Sequence, residues 1–129
     1  MARKNTVVYQ LAKAQSLAAS FSTTPTIVRY LDNCSYQINV TTSDSTGTFQ
    51  VEVSNDYYVN EGNDSVVMNP GSWTALTLAG GTPFVAAADD TIVINLNQLP
   101  FYAVRIHYTS TVAGTGTCDI FVTDKQIGG

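Results

Sequence analysis

An all-β fold, a single antiparallel β-sandwich of jelly-roll type with about seven or eight strands, is what this chain predicts. Three observations carry that expectation. Apolar and polar residues alternate over one segment after another, the period of a strand with one dry and one wet face. Turn residues punctuate these segments at the spacing of a two-sheet sandwich or barrel. Charged residues are 12% of the 129, against about 25% in an ordinary soluble domain. Ser, Thr and Asn take their place, and Thr favours strands. A jelly roll fits the strand count, although strand order cannot be read from periodicity.

The opening, Asn5 to Phe21, carries two signals. Leu11 to Ala19 has helix propensity, whereas Val7, Tyr9 and Leu11 alternate like a strand. We expect residues 1–25 to be an extended N-terminal arm that pairs on a sheet edge, ahead of a sandwich domain at residues 26–129. Thr26 to Tyr30 reads as a short strand, followed by a turn at Asp32-Asn33. Cys34, Tyr36, Ile38 and Val40 then form an apolar face, and Ser35, Gln37, Asn39 and Thr41 a polar one.

Ser43 to Gly47 has the residue chemistry of a hairpin loop, and Phe49, Val51 and Val53 resume the alternation. Asn55 to Ser72 reads as one long polar interruption, beyond the usual length of a connection. Trp73 to Leu78 is expected as a strand, broken by Gly80-Gly81-Thr82-Pro83. Ile92, Ile94 and Leu96 mark the next strand. Phe101 to Val122 closes the chain as two alternating segments around a Ser/Thr/Gly turn, with Tyr102, Val104, Ile106 and Tyr108 facing one way.

The net charge is −4, unevenly spread. Arg3, Lys4 and Lys13 are half of the six basic residues, and no acid precedes Asp32. Three cations are too few for a nucleic-acid tail; they fit a docking arm against an acidic neighbour better, with a solvated, frayed terminus as the default. Uncharged polar surfaces suit contacts between subunits, since burying them desolvates few ions. No leader pattern and no long apolar run is present, so no membrane partner is expected and synthesis in a cytoplasm with reduced thiols is. Cys34 and Cys118 sit among apolar neighbours and are expected to be buried as small hydrophobes.

Chemistry is sparse. His107 is the one histidine, and no G-x-S-x-G elbow is present to supply a nucleophile. One His and two separated Cys match no zinc spacing. Asp56, Glu61 and Asp64 give the long loop oxygen ligands without the calcium-loop pattern. No cofactor, metal site or catalytic residue is expected, and the chain is not expected to be an enzyme. Tyr57, Tyr58 and Trp73 bracket the long loop. Aromatics there serve a protein interface or a sugar-binding platform; Tyr57 and Tyr58 are read as interface residues, and Trp73 as packing inward.

The segments Gly47 to Asp56 (GTFQVEVSND), Trp73 to Leu78 (WTALTL) and Leu99 to Thr117 (LPFYAVRIHYTSTVAGTGT), in that order, resemble small β-sandwich virion structural proteins of tailed bacteriophages. The resemblance spans the chain from Asp32 onward. It implies a non-enzymatic virion component, a capsid decoration (cement) or vertex protein that binds the major capsid protein or other virion proteins. It further implies a homo-oligomer located in the virion. A tail or neck component and a carbohydrate-binding module on a phage appendage are the alternatives.

Overall fold

The computed structural model describes residues 3–28, 33–41, 44–60, 62–76, 84–86, 89–97 and 102–128. Among them the regular structure is all strand. Twelve segments run in chain order: β1 (Arg3–Ser16), β2 (Phe21–Ser22), β3 (Thr26–Ile27), β4 (Asn33–Thr41), β5 (Thr46–Ser54), β6 (Tyr58–Asn60), β7 (Asn63–Asn69), β8 (Thr74–Ala75), β9 (Phe84–Ala86), β10 (Asp90–Asn97), β11 (Ala103–Val112) and β12 (Thr117–Gly128). The expectation of seven or eight is low because five of these segments have only two or three residues, too short to show a period. The Gly80–Pro83 break, Asp32 and the Leu99–Phe101 approach to β11 lie outside the described residues.

One sheet has the order β1-β12-β4-β10; the other has β2-β11-β5-β8 as its path, with β3 also on β11 and β9 also on β5. Every pairing is antiparallel. The pairings nest: β1 with β12, β2 and β3 with β11, β4 with β10, β5 with β8 and β9. A long hairpin that pairs outermost with outermost and is then rolled up gives this order, which is the jelly roll. The segment expected as an arm supplies the outermost strand of one sheet, and β2 begins the other.

The core lies between the two inner faces, where the alternating residues read from the sequence are buried. Cys34, Tyr36, Ile38, Val40, Ile92, Ile94, Leu96, Cys118, Ile120 and Val122 face Phe49, Val51, Val53, Val104, Ile106 and Tyr108, with Leu17 and Val28 among them. The two largest fully buried side chains are tyrosines, and each phenol has a partner, as burial requires. The Tyr36 hydroxyl donates to Thr26 Oγ1 at 3.0 Å. The Tyr108 hydroxyl reaches the carbonyls of Leu17 at 3.2 Å and Thr46 at 3.1 Å. Its ring packs on Phe21 and Phe49, with centroids 5.4 and 4.9 Å away.

The closing pair corrects the sequence reading. β11 and β12 look like a hairpin, but they belong to different sheets, and so do β4 and β5. Periodicity reports which face is dry, never which neighbour accepts the hydrogen bonds. The two crossovers meet at one end of the sandwich and are stitched together. Asp44 Oδ1 accepts from the Thr115 amide at 2.8 Å. Buried Ser45 accepts from the Gly116 amide at 2.7 Å and donates to the Ala113 carbonyl at 2.6 Å. Gly114 sits at φ 58° against Asp44, where any side chain would collide.

Both cysteines are buried thiols. Cys118 lies opposite Val40, six positions from Cys34 on β4. At roughly 3.3 Å per residue they are about 20 Å apart, beyond any disulfide.

Two outcomes are expected. Ser45→Ala strands the buried Gly116 amide and removes the donor to the Ala113 carbonyl, and should cost about 1–3 kcal/mol, read from urea unfolding. Burial, then the Asp119 charge, pushes the Cys118 thiol from 9.0 up to about 12. Thiol reagent at pH 8 should therefore label it only in denaturant. Because the unfolded thiol ionises first, its contribution to stability is full below pH 9.0 and is lost as pH rises towards 12.

Candidate protein interface

The long polar interruption is a hairpin. Tyr58–Asn60 and Asn63–Asn69 pair around Gly62, with two register shifts. The signal was present in the sequence: Tyr57-Tyr58-Val59 and Val66-Val67-Met68 are β-favouring runs that flank an Asn-Glu-Gly-Asn turn.

Its base is held to the body by a dense set of contacts. Ser54 Oγ accepts from the Tyr57 amide at 3.1 Å and donates to Asp56 Oδ1 at 2.7 Å. Asp56 also accepts from the Ser72 amide at 2.8 Å, which ties the two ends of the excursion together. The Ser72 amide, then the Ser54 hydroxyl, hold the Asp56 carboxyl below its ordinary 3.8. Asn55 Oδ1 accepts from the Tyr102 amide at 3.0 Å. Gly71 adopts φ 80° and passes so close to Tyr57 and Ser54 that a Cβ would not fit. Tyr57 packs on Trp73, centroid to centroid 5.6 Å, and the Arg105 guanidinium lies 4.3 Å from the Trp73 ring centre. Arg105 in turn pairs with Glu52 at 2.8 Å.

This base presents a ribbon with few apolar contacts of its own. Val59 is buried against Tyr57 and Ala103. Tyr58, Val66, Val67 and Met68 are exposed, Met68 by 52%. Three consecutive exposed apolar residues on a ribbon this well anchored form a patch of the kind that marks a contact site.

Of the residues expected at an interface, Tyr58 is 48% exposed and stands on the ribbon. Tyr57 points the other way: at 6% exposure it belongs to the small core at the hairpin base, because strand alternation sends neighbours to opposite faces. Trp73 is half-buried, its indole N–H given to the Pro70 carbonyl at 3.0 Å and one face occupied by Arg105. Arg3 and Lys4 stand opposite Gly128 and Ile127 in β1. Lys13 is exposed inside the second register shift of β1, between Ala12 and Gln15, beside Ala14 at φ 48°. Deletion through residue 20 would remove fully buried Leu17 from the core, so the strand's role is better tested by substitution.

The strand and the hairpin converge. An open cleft of about 450 Å³ is lined by Tyr9, Gln10 and Leu11 of β1, residues Thr24 to Ile27, and Tyr57 and Val59. Elsewhere, His107 Nδ1 lies 2.7 Å from Ser22 Oγ across β11 and β2. Among the described residues no carboxylate is hydrogen-bonded to that pair, and no three His, Cys, Asp or Glu gather as a metal site.

No protein-family model and no curated protein matches the chain. Among solved structures, the SPBc2 prophage-derived protein YomS is similar over 98% of this chain and 96% of its own, with a TM-score of 0.50 and 6% identity. A chain from Bacillus endospore appendages, described as a novel family of disulfide-linked pili, is similar over 100% of this chain and 88% of its own, with a TM-score of 0.43 and 14% identity. The likeness to YomS is one of fold.

Asp56→Asn should loosen the hairpin base, read as faster hydrogen exchange at Ser72 while the sandwich core stays protected. Since the folded carboxyl titrates below 3.8, its contribution is full above that pH. It is lost as pH falls through the lower folded value, and the Asn variant should lack this acid loss.

Proposed function

We propose that the chain is a non-enzymatic virion structural protein, a bacteriophage capsid decoration (cement) protein that binds the major capsid protein or another virion protein in many copies. The observation that carries the reading is the pinned hairpin with its exposed Tyr58 and Val66-Val67-Met68. An anchored base lowers the ordering cost of binding, and an aromatic beside a flexible methionine gives contact area without ion desolvation. The sequence resemblance to phage virion proteins and the shared fold with a prophage-derived protein support the same reading. Many modest contacts on a repeating lattice then add up through multivalency. Chains made in the host cytoplasm would end in the virion.

The chain should be found in purified phage particles, and its copy number separates shell, vertex and tail positions. Tyr58→Ala and Met68→Asp should each leave the fold intact and weaken particle binding by about tenfold, measured as occupancy on purified particles. Unchanged occupancy in both variants removes the hairpin from the interface, and absence of the chain from particles removes the virion assignment. Glycan-array binding abolished by Tyr58→Ala would instead support the carbohydrate-binding alternative.

A further inference from the structure

Both outer strands of the β1-β12-β4-β10 sheet lack a neighbour on their far side among the described residues. Long unpaired edges present backbone donors and acceptors to any strand of matching direction and length. β1 pairs with β12 without a shift from Arg3 to Gln10, and β10 runs from Asp90 to Asn97, so each edge offers eight regular residues. The sheet alternates direction strand by strand. A further copy set alongside therefore brings its β1 antiparallel to β10, as every pairing within the sheet already is.

We infer that copies of this chain join head to tail, the β1 edge of one copy adding to the β10 edge of the next. Rows across the sheet set the alignment. Val93, Gln37, Phe121 and Gln10 form one outward row, and Ile94, Tyr36, Val122 and Tyr9 the inward row beside it. Continuing these rows without stagger places Gln10 of the next copy beside Val93 and Tyr9 beside Ile94, so that five regular residues of each edge, Thr6 to Gln10 and Val93 to Asn97, meet. Val8, Tyr9 and Val93, all more than half exposed in the single chain, are then covered.

Charge selects this seam over its alternatives. β1 carries Arg3, Lys4 and Lys13 with no acid, whereas β10 begins at Asp90, preceded by Asp89, with no base. The Asp90 row runs through Val40 and Cys118 to Gln15, so the alignment sets Lys13, two positions earlier and inside the register shift, near the Asp90 end of β10. Pairing β1 with a second β1 would gather six cations along one seam without an anion, which disfavours it. A head-to-tail contact is heterologous, so it yields a ring where the rotation closes and a filament where it does not. The seam uses β1 and β10 rather than the exposed Tyr58 and Val66 to Met68 of the hairpin, so this inference extends the multi-copy structural reading and the two can fail separately.

Charge reversal tests it. Lys13 and Asp90 are both exposed, so Lys13→Glu and Asp90→Lys should fold as the parent does, checked by circular dichroism. In sedimentation velocity at low salt, the parent chain should associate with rising concentration. Each variant alone should associate roughly fivefold more weakly, because its seam sets like charges together. The two mixed in equal amounts should recover association, since each seam then holds one opposite pair. A parent chain that stays monomeric at every concentration overturns the inference. So does Asp90→Lys associating unchanged, the mark of a β1–β1 seam, or Lys13→Glu associating unchanged, the mark of a β10–β10 seam. Failure of the mixture to recover overturns it as well.

Discussion

The structure depends on two of its passages between sheets being locked to each other at one end of the sandwich. β4 passes to β5 and β11 passes to β12 through turns that share one set of hydrogen bonds, with the buried Ser45 hydroxyl accepting from one side of the turn at Gly116 and donating to the other at Ala113. A hydroxyl that both accepts and donates satisfies two backbone groups outside the strands, the buried Gly116 amide and the Ala113 carbonyl. Locking the crossovers together brings β12 beside β4 and β11 beside β5, the two pairings that turn a rolled hairpin into two sheets.

Everything functional is placed by that arrangement. With β11 held on β5, Arg105 lies opposite Glu52, and from there the guanidinium reaches Trp73. Trp73 then backs Tyr57 at the hairpin base. The order runs from backbone register to an ion pair, to a stacked indole, to a ribbon aimed into solvent. The ion pair is partly exposed and contributes little stability by itself; its use is positional. On the opposite edge, β1 ends in two register shifts and a left-handed Ala14 whose amide is given to Asp119 at 2.7 Å. Such irregularity blunts one half of an edge strand and leaves the other half flat.

The surface chemistry is consistent across levels. The outward face of β4 and β10 is Ser35, Gln37, Asn39, Thr91 and Asn95 around one exposed apolar residue, Val93, with neighbours such as Ser35 and Asn95 bonded to each other at 2.8 Å. Side chains that pair among themselves lose little when covered, which suits a protein read as working through packed contacts rather than through reacting groups.

The sequence alone determined which residues turn inward. Tyr36, Ile38, Val51, Ile106, Tyr108 and Ile120 are all fully buried, as alternation required, because a period of two is a local property of extended backbone. The basic character of the first strand is likewise a matter of composition. What tertiary structure decided was partnership. Two segments with the same period and a turn between them can pair directly or part into opposite sheets, and nothing in eight or ten residues distinguishes the cases. The same limit separates Tyr57 from Tyr58: adjacent tyrosines have equal chemistry, and only the seating of the hairpin on Ala103 and Trp73 buries one and exposes the other. Local period sets the face of each residue, whereas the neighbour across the sheet follows from long-range closure of the roll.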